Sequence, residues 1–219
     1  MSQSPKPANP SDLTSSFSSP KTLAELEQDS WQQLLEGTKA KPNPSTNRDT
    51  NLLTVATCTN QGADARTVVL RRVDTTHKYI WFHTDARAEK VLQLEAFPVA
   101  TLIFWDDASQ VQLRMSVETR LHTDDYVADD HWKDLPVSSR KAYLSEPTPG
   151  SELAHPYPGF PDNLIDRLPT EEETEAGRKN FAAIECRVLA MDYLHLSRQG
   201  QLRALFQYEP ESRMAWLAP

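Results

Sequence analysis

Residues 67–73 read Thr67-Val68-Val69-Leu70-Arg71-Arg72-Val73, and residues 79–83 read Tyr79-Ile80-Trp81-Phe82-His83. Both runs are rich in β-branched and aromatic residues, and a short polar turn at 74–78 joins them. A third run of the same kind, 52–58, comes before them and ends at the turn signal Asn60-Gln61-Gly62. The three runs together predict an antiparallel meander.

The chain beyond this meander alternates helices with further strands. Asp85 is a good N-cap, and Pro98 ends the helix that is predicted between them. Further strands are predicted at 99–105, 111–121, 184–191, 193–197 and 202–208, and further helices at 123–133 and 138–145. A long meander with one inserted helix predicts a barrel with helices packed outside it, although periodicity alone does not distinguish a barrel from a sandwich.

The remaining segments set the domain boundaries. Residues 1–21 are rich in Ser and Pro, which predicts a disordered tail, and residues 22–219 are expected to form one domain. Thr22 and Glu25 form a capping box for a first helix that is expected to end at Gly37. A Pro/Asn-rich linker follows at 40–50, and residues 146–180 are expected to form a long surface excursion.

Composition narrows the functional class. The 219 residues carry 31 acidic and 23 Lys or Arg side chains, a net charge of −8, so a nucleic acid is a poor partner. No apolar run approaches the roughly 20 residues of a membrane-spanning helix, and the N-terminus lacks a secretory pattern, so we expect a cytoplasmic protein without membrane contact. Cys58 and Cys186 lie in separate apolar runs and are interpreted as reduced core residues.

The informative polar residues are cations near strand ends and a helix start. Arg66 and Arg71 are five residues apart on one predicted strand, so their side chains point to opposite faces. Arg87 and Lys90 lie on the first turn of the predicted helix, where acidic residues are usually preferred. A phosphate would neutralise these two cations. The alternative is that both pair with Asp85 or Glu89 on a solvated face.

Other motifs give weaker signals. Gln112, Arg114 and Ser116 alternate along one strand, so they share a face that meets either solvent or a ligand. The six histidines show no metal-binding spacing, and we interpret them as turn, strand-edge or surface residues. The chain has no G-x-G-x-x-G sequence and no P-loop, so neither a Rossmann domain nor an NTPase is expected.

Several of these segments resemble the pyridoxamine 5'-phosphate oxidases. Residues 66–71, Arg-Thr-Val-Val-Leu-Arg, are similar to that family's Arg-x-Val-Leu-Leu-Lys, and residues 82–85, Phe-His-Thr-Asp, are similar to its Phe-Tyr-Thr-Asn. Residues 87–90, Arg-Ala-Glu-Lys, resemble the Arg-Ser-x-Lys of an oxidase-like FMN-binding branch. Trp105 with residues 111–114, and the closing Leu-Ala-Pro at 217–219, continue the likeness, which runs from about residue 31 to the end.

The resemblance implies a mainly β fold with α elements: an FMN-binding split β-barrel, antiparallel and Greek-key-like, with peripheral helices. It also implies a homodimer with FMN at the subunit interface. In this family, side chains at the positions of Arg66, Thr84, Arg87 and Lys90 hold the FMN phosphate, and the backbone of Thr67, Val68, Val69 and Leu70 lies along the flavin ring. Arg71 replaces a family lysine near the ring, and Gln112 reaches the ring from the other subunit.

The departures from the family pattern concern the substrate. The oxidases grip pyridoxamine phosphate with a Tyr/Arg pair on the helix after the barrel and with a C-terminal Arg-x-His. The corresponding stretches here are 131–135, His-Trp-Lys-Asp-Leu, and 201–203, Gln-Leu-Arg. We therefore expect an FMN-dependent oxidoreductase on a different, unidentified small substrate, with no catalytic residue nominated. The alternatives are a non-catalytic protein that binds FMN or another cofactor, and an interaction protein without a ligand.

Overall fold

The computed structural model describes residues 21–39 and 51–219 of the chain. The predictions for the tail and for the linker at 40–50 therefore lie outside the described residues, apart from Lys21. The described helices are α1 (Leu23–Lys39), α2 (Glu89–Ala96), α3 (Tyr126–Asp134), α4 (Val137–Arg140) and α5 (Glu171–Thr174). The described strands are β1 (Leu52–Thr59), β2 (Gly62–Asp74), β3 (Tyr79–Asp85), β4 (Val99–Asp106), β5 (Val111–His122), β6 (Phe181–His195), β7 (Leu202–Gln207) and β8 (Arg213–Leu217).

All strand pairs are antiparallel, and the sheet closes on itself. The strand order is β3-β2-β1-β4-β5-β6-β7-β8, and an additional pairing joins β3 to β6. This pairing closes a six-stranded barrel, from which β7 and β8 extend as extra strands. The expectation of a mainly β barrel with peripheral helices is confirmed, and the closure decides between a barrel and a sandwich.

The barrel interior is the hydrophobic core. Alternate residues of each strand point inward, and the fully buried ones include Val55, Phe82, Leu102 and Met115. Helix α1 packs its own apolar face against the barrel, with Leu26, Trp31 and Leu34 buried. The Trp31 indole nitrogen donates to the Tyr208 hydroxyl over 2.8 Å, so this buried indole is satisfied.

The N-terminal capping box is confirmed, but the predicted end of its helix is wrong. The backbone nitrogen of Thr22 donates to Glu25 Oε2 over 2.7 Å, and the Glu25 nitrogen donates to Thr22 Oγ1 over 3.2 Å. Helix α1 then runs through Gly37, which is buried, and ends at Lys39. Glycine lowers helix stability without forbidding a helical conformation, and here the packing of α1 continues past it.

The second helix starts later than the sequence predicts. Asp85 is still part of β3, where it pairs with Phe181, and its carboxylate accepts hydrogen bonds from Arg87 instead of capping a helix. Helix α2 begins at Glu89, and Ala88 occupies its N-cap position without a side-chain hydrogen bond. Only Lys90 of the two predicted cations therefore lies in the first helical turn.

Two predictions near the C-terminus are also corrected. The separate strands expected at 184–191 and 193–197 are one strand, β6, because Asp192 lies on its outer face and is paired with Arg114 and Arg203. A polar residue on the outer face does not interrupt a strand. Strand β8 was not predicted; it pairs with β7 from Arg213 to Leu217.

The two cysteines differ in environment. Cys186 is fully buried in the core, and burial raises the pKa of its thiol. Cys58 is exposed at the end of β1, so its interpretation as a core residue is wrong. The inward positions of β1 are Leu53, Val55 and Thr57, which leaves Cys58 on the outer face. In the described part of the chain, no helix is both long and apolar enough to cross a membrane.

Candidate functional site

The barrel wall opens between β2 and β3. The two strands pair only from Leu70 opposite Phe82 to Asp74 opposite Tyr79. Before Leu70, β2 pairs with β1, and after Phe82, β3 pairs with β6. Within the described ranges, the stretch 66–69 thus has no strand partner on its β3 side. Backbone groups at such an edge must bind water or a ligand, so this opening is the candidate site.

Arg66 lies at one end of the opening. Its guanidinium donates to Thr57 Oγ1 over 2.5 Å and to Gln93 Oε1 over 2.9 Å, and it forms an ion pair with Asp64. Thr57 is an inward-facing, buried residue, so Arg66 reaches toward the barrel interior. A hydrogen bond from Gln93, followed by the charge of Arg66, lowers the pKa of Asp64.

Thr84 and Lys90 lie beside Arg66 at the same end. The Lys90 ammonium donates to Thr84 Oγ1 over 3.1 Å, and the structure gives it no carboxylate partner among the described residues. Burial, and then the charge of Arg66, lowers the pKa of Lys90, so the two cations are close enough to repel each other. The uncapped N-terminus of α2 adds free backbone N–H groups and a partial positive charge.

Arg87 is turned away from this group. Its Nε and one terminal nitrogen donate to the two carboxylate oxygens of Asp85 over 3.0 Å and 2.7 Å. Its terminal nitrogens also donate to the carbonyls of Ser145 and Glu146 over 2.9 Å and 3.1 Å. The alternative drawn from the sequence, pairing with Asp85, therefore describes Arg87 in this structure but not Lys90, whose phosphate contact stays a prediction. A phosphate contact from Arg87 stays a prediction.

A bulge places Arg71 at the other end of the opening. The register of β2 with β3 shifts between Leu70 and Arg72, so Arg71 is the extra residue. Arg66 reaches inward to Thr57, whereas Arg71 lines a cleft on the outer face with His83 and His131. The two arginines thus lie on opposite faces, as predicted. Burial lowers the pKa of Arg71, whose Nε is buried without a hydrogen-bond partner.

A histidine pair forms the floor of this cleft. His83 Nε2 and His131 Nδ1 are 2.9 Å apart, on β3 and α3 respectively. Burial, followed by the charges of His131 and Arg71, lowers the pKa of His83 to about 2. Burial, followed by the charge of Arg72, lowers the pKa of His131 to about 4. The expectation of surface histidines is wrong for His131, which is 2% exposed, and for His122, which is 3% exposed.

Sequence reasoning missed this pair because its two members are 48 residues apart and come from different elements. The only signal was that His131 falls on a helix whose apolar neighbours Ala128 and Trp132 are buried. That pattern predicts a buried face for α3, but it does not say which strand the face covers. Across residues 21–39 and 51–219, no group of three or more His, Cys, Asp or Glu side chains is arranged to hold a metal ion.

Gln112 lies elsewhere, on the outer face of β5. Cross-strand pairing aligns it with Trp105 on β4 and Leu194 on β6, and Leu194 in turn pairs with Arg203 on β7. Directly paired residues share a face, so these four side chains form one row. We call it the Gln112 row. Trp105 is 41% exposed, whereas its neighbour Phe104 is buried in the core. The structure does not bring Gln112 to the β2–β3 opening of the same chain.

Comparisons with known proteins agree with the fold. A family model described as pyridoxamine 5'-phosphate oxidase, FMN-binding domain, matches residues 28–123. A pyridoxamine 5'-phosphate oxidase-related, FMN-binding protein from Nostoc punctiforme superposes with a TM-score of 0.66 at 21% identity, covering 88% of this chain and 97% of its own. Among curated proteins, no sequence matches this chain.

Two further solved structures share the fold. PhzG from Burkholderia lata, in complex with tetrahydrophenazine-1-carboxylic acid, gives a TM-score of 0.62 at 14% identity, covering 92% of this chain and 95% of its own. A protein related to general stress protein 26, from Clostridium acetobutylicum, gives 0.51 at 14% identity, covering 84% and 94%. At these identities the likeness establishes the fold alone.

The residues at the opening fit the FMN phosphate. Lys90 is half-buried, has only a hydroxyl partner and lies near a second cation, Arg66. The start of α2 has no side-chain cap. A dianionic phosphate would satisfy these groups together, since it supplies both charge and acceptor oxygens. The backbone edge at 66–69 has no pairing with β3, so its polar groups are open to a ligand beside the phosphate.

The histidine pair predicts that the fold is sensitive to acid. Below pH 6.5, the ordinary pKa of histidine, the unfolded chain takes up protons that buried His83 and His131 do not accept. The contribution of these two neutral histidines to the free energy of unfolding is therefore fully present above pH 6.5 and is lost as the pH falls. At pH 5 the loss is about 2 kcal/mol for each histidine. We expect His131→Gln to reduce the loss of unfolding free energy between pH 7 and pH 5 by about 2 kcal/mol in urea titrations.

The matched control is His155→Gln, because His155 is exposed. This variant should keep the pH dependence of the wild-type protein. An unchanged pH dependence in His131→Gln would show that His131 is not held neutral by the fold.

Proposed function

We propose that this chain, which carries a pyridoxamine 5'-phosphate oxidase-like FMN-binding domain, is an FMN-dependent oxidoreductase acting on a small substrate other than pyridoxamine 5'-phosphate. The observation that carries the proposal is the opening between β2 and β3. At one end of it, the Lys90 ammonium has no carboxylate partner among the described residues. At the other end, Arg71 Nε is buried without a hydrogen-bond partner. FMN is negatively charged at its phosphate, and its ring gains negative charge on reduction.

The FMN phosphate binds at the end of the opening where Lys90 lies. Arg66, Thr84 and Lys90 hold the phosphate, with the N-terminal amides of α2 completing the set. Arg87 joins them only by exchanging its bonds to Asp85 and to the carbonyls of Ser145 and Glu146 for phosphate oxygens. The charge on Lys90 favours the bound dianion, and the partial burial of this residue strengthens the interaction because little water screens it.

The flavin ring is assigned to the stretch of β2 that runs from the phosphate end of the opening to Arg71. The backbone of Thr67, Val68, Val69 and Leu70 offers its unpaired edge to the isoalloxazine, because Val68 and Leu70 keep their side chains in the core. Bound FMN supplies hydride transfer. Arg71 stabilises negative charge at the N1/C2 edge of the ring, and its planar guanidinium does so with a different geometry from the lysine of the oxidases.

The substrate grip of the oxidases is not assembled here. In the stretch where they carry a Tyr/Arg pair, Trp132 is buried, and its indole donates to Glu175 over 3.2 Å. Arg203, in the stretch of the family's Arg-x-His, donates to the two oxygens of Asp192 over 3.0 Å and 2.8 Å. These side chains are committed within the chain, which supports a different substrate.

The same proposal includes a homodimer with FMN at its interface. The family resemblance implies that Gln112 contacts the flavin ring. Gln112 does not lie near the β2–β3 opening of its own chain, so a second copy of the chain must supply it. The Gln112 row also presents apolar side chains outward, Trp105 and Leu194, on either side of Gln112. An exposed tryptophan beside a half-buried polar residue is typical of a protein interface.

A non-catalytic flavin-binding protein is the alternative function. The observation that favours it is the cleft near Arg71, whose histidines are both held neutral with a strongly lowered pKa. Such groups are weak bases, and among residues 21–39 and 51–219 no pair of carboxylates at the opening replaces them.

The phosphate assignment predicts a loss of FMN affinity in Lys90→Ala. Loss of one charge-assisted contact should weaken binding by about 1.5–3 kcal/mol, more than tenfold in Kd. Arg87→Ala should have a smaller effect, because wild-type Arg87 must first give up Asp85. Quenching of flavin fluorescence in titrations measures both. Lys133→Ala is the matched control, since Lys133 is exposed on α3. Equal FMN affinity in Lys90→Ala and wild type would contradict the site.

The dimer proposal predicts that the wild-type chain sediments as a dimer and that Trp105→Asp dissociates it. A buried carboxylate opposite an apolar partner surface is costly, so the equilibrium should shift toward monomer. Tyr126→Asp is the control, because Tyr126 is 83% exposed on α3, away from the Gln112 row. FMN affinity should fall with dissociation. A wild-type monomer that binds FMN stoichiometrically would refute the shared site.

The oxidoreductase proposal is tested on purified protein with stoichiometric FMN. We expect NADPH or NADH to reduce the bound FMN anaerobically, and air to restore its visible absorption over repeated cycles. Pyridoxamine 5'-phosphate should not reduce it. Bound FMN that can be photoreduced, yet responds to neither nicotinamide, would favour the non-catalytic alternative. A colourless protein that ignores added FMN would overturn both functions.

A further inference from the structure

Four buried nitrogen atoms in and around the histidine pair have no hydrogen-bond partner. They are Arg71 Nε, Trp81 Nε1, His83 Nδ1 and His131 Nε2, and they account for most of the buried, unpaired polar side-chain atoms in the described part of the chain. The Trp81 ring lies beside His131 in a tilted arrangement, with 6.0 Å between ring centroids, so this indole belongs to the same cluster. Buried polar groups without partners are costly, and in native proteins they commonly mark functional sites.

The pair itself can carry one additional proton. His83 Nε2 and His131 Nδ1 share a hydrogen bond of 2.9 Å, so in the neutral pair one ring is the donor and the other the acceptor. One outer nitrogen then bears a hydrogen and the other is bare. Protonation of the bare nitrogen makes the pair a single delocalised cation, which is a change of charge without a change of packing.

The surrounding charges determine whether this proton binds. The charged and titratable groups that act on the pair are Arg71 and Arg72 from β2, Asp130 and Asp134 from α3, His122 from the end of β5, and Tyr143, which lies near Arg71. Arg72 is neutralised by Asp130 and Asp134, at 2.9 Å and 2.8 Å. Arg71 has no carboxylate partner among the described residues, so it is the uncompensated positive charge at the pair.

We propose that the His83–His131 pair is a redox-linked proton site, which gains one proton when FMN in the β2–β3 opening is reduced and releases it on reoxidation. The inference rests on the proposed function, because it requires the flavin ring to lie beside Arg71. It assigns a role to two histidines that neither the sequence pattern nor the phosphate site explains.

The proton uptake follows from the balance of charge between Arg71, the flavin ring and the histidine pair. Burial is the main reason that both histidines are neutral, and the charges of His131 and Arg71 at His83, and of Arg72 at His131, add to it. Reduction of the ring by two electrons and one proton leaves one negative charge next to Arg71, which offsets the guanidinium. An opposite charge nearby raises the pKa of histidine, so the pair then accepts a proton from solvent. The complete change is two electrons and two protons, one proton on the ring and one on the pair.

The test is the pH dependence of the midpoint potential of bound FMN. Electrons come from dithionite, with mediator dyes to equilibrate them. For a two-electron couple, each proton taken up adds about 30 mV per pH unit to the slope, since a tenfold change in equilibrium constant is about 30 mV. Between pH 5.5 and 7, we expect the wild-type slope to exceed that of His131→Gln by this amount. His155→Gln should keep the wild-type slope.

Two different results distinguish a failure of the proposed FMN function from a failure of the histidine proposal. Absence of bound FMN in the wild-type protein would overturn the proposed function. Bound FMN with equal slopes in wild type and His131→Gln would overturn the histidine proposal and leave the function standing.

A second measurement does not depend on the folding of a variant. Imidazole ¹⁵N resonances of the wild-type protein with FMN, at pH 6, should show both histidines neutral when the flavin is oxidised. After reduction, one proton shared by the pair should give a cationic pattern. Unchanged histidine resonances on reduction would overturn the proposal.

Discussion

The β2–β3 opening depends on where β3, which lies between β2 and β6, stops pairing with β2. β3 pairs with β2 as far as Leu70 opposite Phe82, and with β6 over its whole length. Pairing with β6 closes the barrel and buries Ile80, Phe82 and Thr84 on the inner side. Beyond Phe82, β3 remains paired with β6 through Asp85 but has no pairing with β2. A right-handed twist and a bulge at Arg71 accompany this separation, and the ladder bonds that are lost leave an edge that can receive a planar ligand.

The cations at the two ends of this opening differ in how they are held. Arg66 is fixed by hydrogen bonds to Thr57 and Gln93 as well as by Asp64, so it is already oriented. Lys90 and Arg71 have little compensation, and burial lowers the pKa of each. A fold tolerates such groups at a modest cost in stability when a ligand later neutralises them. This arrangement agrees with a site for an anion at one end and for a ring that becomes anionic at the other.

The substrate side has a different character from the phosphate side. Helix α3 places His131 against Trp81 and His83 of β3 and packs Trp132 against Phe181 of β6, and its acidic residues Asp130 and Asp134 hold Arg72. The cleft thus offers neutral imidazoles and one free guanidinium, where the oxidases present a Tyr/Arg pair.

The sequence by itself predicted strands at 52–58, 67–73 and 99–105, which lie within β1, β2 and β4, because their β-branched and apolar runs are local. It also drew attention to Arg87 and Lys90, through charges that conflict with the local preference at a helix start, and of these two Lys90 lies in the first turn of α2 while Arg87 pairs with Asp85. It did not determine where β6 pairs, that Asp85 turns to Arg87, or that His83 meets His131. Those contacts join residues far apart in the chain, and only the closure of the barrel and the packing of α3 on β3 decide them. Local periodicity carries no information about such long-range neighbours.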